Sequence, residues 1–183
     1  PEMPPIACDA YECVTTLDRL DHWMSRAHET GVVAFDTETD SLEAVTARLV
    51  GFSLAVTPGE ACYIPLGHGG TDLLAEKPEQ IPLADALARI KPLLADDSVL
   101  KIGQNLKYDM SVLRQHGLTI SPFDDTMVMS FALDAGRQGH GMDELSKLHL
   151  NHAPISYKSL TGTGKSQISF AEVPVAEATT YAA

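Results

Sequence analysis

Basic residues are scarce in this sequence. The 183-residue chain carries 13 Lys and Arg against 25 Asp and Glu, a formal charge of −12. It is therefore not a basic nucleic-acid clamp of the usual kind, and it lacks the positive charge that draws a protein to an anionic membrane surface. Action on nucleic acid would need positive charge from metal ions or from an attached domain. Cysteine is equally sparse. Cys8, Cys13 and Cys62 make neither an even, regularly spaced framework nor a CxxC pair, so the sequence describes no disulfide scaffold or zinc motif and suits a reducing setting. No apolar run approaches the roughly 18–20 residues of a membrane span. Residues 1–9 have neither the basic start nor the apolar core of a signal peptide. What is present is ordinary: 44% hydrophobic and 21% charged residues are values of a packed domain rather than a disordered one. A chain of this length buries roughly 70% of its unfolded surface without a covalent or metal staple.

Residues 1–15 read as a Pro-rich lead-in and 16–183 as one domain. Leu17, Leu20, Trp23, Met24 and Ala27 recur at helical spacing and predict a helix over about 16–29, ended by Gly31. Val32 to Phe35 reads as a short buried strand, followed by strands over 49–56 and 61–66, with Thr57-Pro58-Gly59-Glu60 as the turn between them. These three strands form an antiparallel meander. Helices follow over 83–95, 106–116 and 142–150, a strand over 99–103, and a last helix from 172. Residues 125–133 are mostly apolar, and periodicity does not decide between helix and strand; 67–82 and 151–169 read as loops. The pattern is α/β: a mixed sheet, meander plus parallel strands, flanked by helices.

Two segments carry chemistry. Phe35-Asp36-Thr37-Glu38-Thr39-Asp40 places acids at the end of the first buried strand, where carboxylates are unfavourable unless neutralised. Asp36 and Glu38 are two apart and face the same way. Their starting points, roughly 6.6 Å apart, allow them to converge on one cation or bridge two. Oxygen-only ligands suit Mg²⁺ or Mn²⁺ better than zinc. The second segment, Lys101-Ile102-Gly103-Gln104-Asn105-Leu106-Lys107-Tyr108-Asp109, leaves a strand and opens a helix. Asn105 and Asp109 share a helix face at i and i+4, so Asp109 can add a carboxylate from another element. Gln104 and Asn105 offer neutral hydrogen-bond groups, and Lys107 a local cation. The plainer alternative makes Asn105 a helix N-cap and Asp109 a surface acid.

FDTETD and IGQNLKYD, about 70 residues apart, together with LVGFSLAV, ACYIPLGH, PFDDTMVMSFAL, MDELSKLHL and TGTGKSQISF, resemble the 3′–5′ proofreading exonuclease domain of bacterial DNA polymerase I. That family belongs to the DEDD superfamily with a ribonuclease H-like fold. The resemblance covers residues 31–183. Tyr181-Ala182-Ala183 matches the start of the family's third motif, Tyr-x-x-x-Asp, and identifies the tyrosine branch. The chain is expected to be a fragment, because the matching Asp would fall two residues past Ala183; as such it should be weak or inactive. The resemblance implies two divalent ions, Mg²⁺ or Mn²⁺ with Zn²⁺ an option for one of them in vitro, and metal ligands Asp36, Glu38 and Asp109. Asp36 would bridge both ions, Glu38 would hold the one that activates water, and Asp109 the other. Tyr181 would orient the attacking water. Leu42 would lie against the terminal base and Tyr157 against the single strand, while Thr37, Gln104, Asn105 and Lys107 complete the substrate-contacting set. The implied substrate is the 3′ end of single-stranded DNA, the implied product a nucleoside 5′-monophosphate, and the implied partner a polymerase domain of the same parent chain. A monomer in the bacterial cytoplasm, associated with the nucleoid and not with membrane, goes with that reading.

Rival readings are a silent exonuclease-like module, a related DEDD ribonuclease, and an Asp-nucleophile phosphatase. Retention of Asp36, Glu38 and Asp109 argues against the first. The filler after the second motif argues against the second, and Glu38, where that phosphatase motif needs Asp, argues against the last. Thr161-Gly162-Thr163-Gly164-Lys165-Ser166 resembles a P-loop end, but Ser159 stands where its first Gly belongs. His149 and His152 have no third ligand beside them in sequence, and Asp134, Asp143 and Glu144 read as solvated acids.

Overall fold

A computed structural model of the chain describes residues 10–69 and 77–183. Its first helix, α1 (Leu17–Thr30), begins where the Thr16 hydroxyl accepts the Arg19 N–H; such a cap contributes ~1 kcal/mol. It ends at Gly31, whose φ of 69° is open to glycine without a Cβ penalty. Leu20, Trp23 and Ala27 make its buried stripe. The meander follows as β2 (Val32–Thr39), β3 (Leu49–Thr57) and β4 (Glu60–Pro65), both pairings antiparallel. Next come α2 (Leu83–Leu94), β5 (Leu100–Gly103) and α3 (Leu106–Arg114). After β6 (Phe123–Asp125) lie α4 (Thr126–Asp134), α5 (Met142–Leu150), α6 (Tyr157–Thr161) and α7 (Val175–Ala182).

The sheet opens with β1 (Glu12–Cys13) and runs β1-β4-β3-β2-β5-β6. The strand β1 pairs parallel with β4, β2 parallel with β5, and β5 parallel with β6. Mixed α/β architecture with helices about the sheet is therefore as expected from the pattern of elements. Differences are local. Two residues of the anticipated lead-in, Glu12 and Cys13, extend the sheet at one edge. The undecided stretch 125–133 is helical from Thr126, with Asp125 ending β6, and the anticipated loop 151–169 contains α6 and a 3-10 turn at Gly164–Ser166. Of the anticipated loop 67–82, residues 70–76 lie outside the described residues, as does Cys8; Cys13 and Cys62 are free thiols. Among the described residues no helix is long and apolar enough to cross a membrane.

The strand β2 is not a short apolar run that ends before the acids. It extends through them and alternates: Val33, Phe35 and Thr37 are buried, while Val32, Ala34, Asp36 and Glu38 are more open. The buried side joins the main core with Leu20, Trp23, Phe52, Leu54, Ile64, Leu87, Ile90 and Val112, contributed by α1, α2, α3 and the sheet. On the opposite face Asp36 pairs laterally with Ser53, and Ser53 with Tyr63. There a smaller core of Val50, Tyr63, Phe170, Val173 and Ala178 docks α7 on the sheet. The same face also bounds an apolar cavity of about 520 Å³ between the sheet, α4 and α5, with Asp36 on its wall and Ala182 and Ala183 at α7's end. Neither α4 nor α5 has a buried residue.

Candidate active site

The site is built where β2 meets the β5–α3 turn. Gly103 closes β5, and a Cβ there would strike the Leu106 side chain and stand 3.0 Å from the Phe35 carbonyl oxygen. Glycine thus allows α3 to start hard against β2. The first N–H groups of α3 would otherwise be orphans. Asp125 takes them: the N–H groups of Asn105 and Leu106 donate to its carboxylate at 3.0 and 2.8 Å. The same carboxylate accepts from the Met127 and Val128 N–H groups at 2.9 and 3.3 Å, capping α4 as well. One turn along α3, Asp109 is buried at 2% exposure. Its Oδ1 accepts from the Thr37 N–H at 2.9 Å and from the Thr37 hydroxyl at 2.5 Å. Thr37 is thereby a clamp between strand and helix, holding Asp109 beside Asp36 and Glu38. The register shift in β2 at Glu38/Thr39 lies at this point; such bulges re-aim side chains at a sheet's functional edge.

The three acids act on one another. Burial, then the charge of Asp109, pushes the Asp36 carboxyl up to about 7. Burial raises Asp109 to about 6 against the opposing bonds from Thr37. Glu38 is raised well above its usual range by burial and then by Asp36 and Asp109. None of the three forms an ion pair with Lys or Arg among the described residues. Acids drawn this far out of water and left without a cation are costly. Among the described residues no three acid, histidine or cysteine side chains meet closely enough, as they stand, to hold a metal ion. The donor set itself fits a hard divalent cation: carboxylate oxygens only, with their charge otherwise uncompensated.

Beside the acids runs a groove of about 510 Å³ walled by Thr37, Glu38, Leu42, Tyr108, Tyr157 and Ile168 among others. Leu42 is 93% exposed, which rules out ordinary packing for it. Tyr157 is partly exposed and lies nearly parallel to Phe170, with ring centroids 6.3 Å apart at 11°. Tyr181 meets Tyr157 edge-on at 6.3 Å, and burial followed by the charges of Glu38 and Asp36 raises its phenol well above the usual value.

A family model described as 3′–5′ exonuclease, that of DNA polymerase A, matches residues 11–183. The DNA polymerase I of Rhizobium leguminosarum is 48% identical over 98% of this chain. The chain belongs to the DNA polymerase I 3′–5′ exonuclease family. The DNA polymerase I of Pseudomonas aeruginosa is 38% identical over 94% of the chain, and in both relatives the match spans 19% of their length. Among solved structures, the catalytic core of RRP6 from Trypanosoma brucei superposes with a TM-score of 0.70 at 14% identity, covering all of this chain and 44% of that one. At that identity the likeness shows the ribonuclease H-like exonuclease fold alone.

Set on this family's fold, the anticipated residues divide into groups. Asp36, Glu38 and Asp109 stand near enough to act on one another's charge, and Tyr181 feels the charges of Glu38 and Asp36; Thr37 bonds Asp109, and Leu42 and Tyr157 line the adjoining groove. Gln104 lies on the apolar cavity instead, and its amide is engaged internally: Nε2 donates to the His140 carbonyl at 2.8 Å and Oε1 accepts from the Thr126 hydroxyl at 2.5 Å. Asn105 stands at the N-cap position with φ 62° but makes no side-chain cap bond, since Asp125 supplies the cap. Lys107 is exposed along a different groove with Met110, Arg114 and Phe123. Sequence reasoning missed Asp125 and Tyr108. The Tyr108 hydroxyl donates to the Ser41 carbonyl at 2.5 Å and is bonded to the Thr39 hydroxyl, tying the loop before Leu42 to α3. An Asp directly before an apolar run was the available signal for the first; for the second there was none. Of the discounted histidines, His149 lies on the apolar cavity; His140, outside that pair, has Ser130 as a side-chain partner at 2.8 Å.

Proposed function

We propose that this domain removes nucleotides from the 3′ end of single-stranded DNA by divalent-metal-dependent hydrolysis, releasing nucleoside 5′-monophosphates, and that it proofreads for a polymerase on the same parent chain. The observation that supports the reading is the acid triad: Asp36, Glu38 and Asp109, from two elements, stand near enough to raise one another's proton affinities, and among the described residues none of them is ion-paired to Lys or Arg. Asp36, Glu38 and Asp109 would hold two ions, Mg²⁺ or Mn²⁺. When bound, these would supply the positive charge that makes water a nucleophile at neutral pH and steadies the leaving 3′ oxygen.

The chain's own groups do the positioning. Thr37 fixes Asp109 through two hydrogen bonds to one oxygen, which leaves the carboxylate one orientation. The Tyr181 phenol stays protonated at neutral pH and can donate to or accept from the attacking water. Leu42 and Tyr157 bracket the groove, and an aromatic face is worth roughly 1–3 kcal/mol per stacked base whatever the base, as removal of any mispaired nucleotide requires. The test is release of the terminal nucleotide from a 3′-labelled oligonucleotide by the full parent polypeptide with Mg²⁺. Asp36→Ala should lower the rate by ~10²- to 10³-fold, as loss of a transition-state charge partner does, while the protein still unfolds in one cooperative transition. Comparable rates in the two proteins would refute the assignment.

A further inference from the structure

Phe170 is the hub of an aromatic cluster on the face of the sheet that carries the acids. Its ring lies 6.5 Å from Tyr63, 5.7 Å from His68, 6.3 Å from Tyr157 and 5.9 Å from Tyr181, centroid to centroid. It opens the 3-10 turn Phe170–Glu172, which leads directly into α7, the helix that carries Tyr181. His68, just past β4, is buried at 4% exposure. Its Nδ1 lies 3.0 Å from the Val173 carbonyl oxygen and its Nε2 2.8 Å from the Tyr63 hydroxyl. A carbonyl only accepts, so Nδ1 carries the proton and the neutral ring accepts the Tyr63 O–H at Nε2. Burial holds the ring's proton affinity below its usual value, in keeping with that neutral form. The His68 backbone is gripped in turn: its N–H donates to Gln80 Oε1 at 2.7 Å and its carbonyl accepts from Gln80 Nε2 at 3.1 Å. Gly51 makes room for the arrangement, since a Cβ there would collide with the Tyr63 hydroxyl.

We propose that His68 is a positioning residue for Tyr181: clamped by Gln80, its ring ties Val173 and Phe170 to β4, and so fixes where α7 presents the Tyr181 hydroxyl to the acids. The proposal rests on the role given to Tyr181 in hydrolysis. The two links, one through the backbone at Val173 and one through the Phe170 ring, converge on the same helix.

The experiment is single-turnover and steady-state hydrolysis of a 3′-labelled oligonucleotide by the full parent polypeptide with Mg²⁺. His68→Asn can keep a donor near the Nδ1 position; His68→Gln aims its amide toward Tyr63 and gives up Val173. His68→Gln should lower kcat ~10- to 100-fold, the cost of a misplacement on the order of 1 Å, with KM within about twofold of the parent. His68→Asn should restore most of kcat. In a Tyr181→Phe background, His68→Gln should cost nothing further, because both changes remove one device. Losses that multiply, or a His68→Gln protein with normal kcat, would overturn the proposal. If Tyr181→Phe alone leaves kcat unchanged, the role of Tyr181 falls first. Should His68→Gln fail to fold, Gln80→Leu takes its place: a smaller kcat loss that vanishes with Tyr181→Phe supports the tether, and an additive loss sinks it.

Discussion

At the scale of single residues, the acids set a sign that can be measured. Asp36 at about 7 and Asp109 at about 6 bind protons more tightly folded than unfolded, where an Asp sits near 3.8. Their contribution to stability is therefore full below about pH 4 and is lost as pH rises through about 6 to 7. A tenfold change in proton affinity corresponds to ~1.4 kcal/mol, and a domain of this size moves ~2–4 °C in melting temperature per kcal/mol. Salt-bridged acids act the other way: Arg48 holds the Asp40 carboxyl below its ordinary range and Arg19 does so for Glu12, and both lose stability as pH falls. The clean quantity is thus the difference between proteins. In calorimetry with a chelator present, Asp36→Asn should gain on the parent sequence as pH goes from 5 to 7.5, by several degrees. Adding Mg²⁺ at pH 7.5 should raise the melting temperature of the parent sequence and not of Asp36→Asn, since only a ligand of the native state stabilises by mass action. A difference that is flat with pH would mean that the triad is not held in charge conflict.

At the scale of elements, what caps a helix decides whether its chemistry is in place. Asp125 satisfies the starts of both α3 and α4, so Asp125→Ala forfeits two caps at ~1 kcal/mol each. Urea unfolding should show a lower midpoint with an unchanged slope, and exonuclease activity should fall because Asp109 rides on α3. An unchanged midpoint would place the caps elsewhere. This is also where the sequence stops being readable. The helix at Leu17–Thr30 and the meander were legible, because apolar periodicity and Gly31 act over neighbouring residues. Asp36 and Glu38 stood out in the sequence because carboxylates contradict a buried strand, and Asp109 by its spacing from Asn105; its burial and its bonds to Thr37 come from the fold. The cap on α3 was not, since its donor and acceptor stand about 20 residues apart and Asn105 itself looks like a cap. Lys101, at the head of the second motif, is fully buried, and its ammonium donates to the carbonyls of Asp96, Val99 and Ser121 at 2.8, 2.7 and 2.6 Å. Two- and three-residue edge strands, β1 and β6, have no period to detect. The character of 125–133 stayed open because its apolar residues, Val128, Met129, Phe131 and Leu133 among them, remain exposed and follow no single buried face.

At the scale of the whole molecule, a charge of −12 sets how a polyanion can be held. Among the described residues no Lys or Arg lines the groove beside the acids. Each phosphate neutralised by a basic side chain would add about −0.7 to the slope of log affinity against log salt for a single strand, so a groove of this composition should show a shallow slope, near that of one phosphate or none. Affinity should come instead from apolar and ring contact at Leu42 and Tyr157. In the Asp36→Ala background, where the strand is not cut, fluorescence anisotropy of a labelled oligonucleotide between about 25 and 200 mM salt reads both quantities. Tyr157→Ala should weaken binding by ~1–3 kcal/mol, the worth of a stacked base, without changing the slope, and Leu42→Ala should weaken it less. A steep slope equivalent to several phosphates, left intact by Tyr157→Ala, would show that basic residues outside this groove carry the strand, and the path assigned to the DNA would have to move to them.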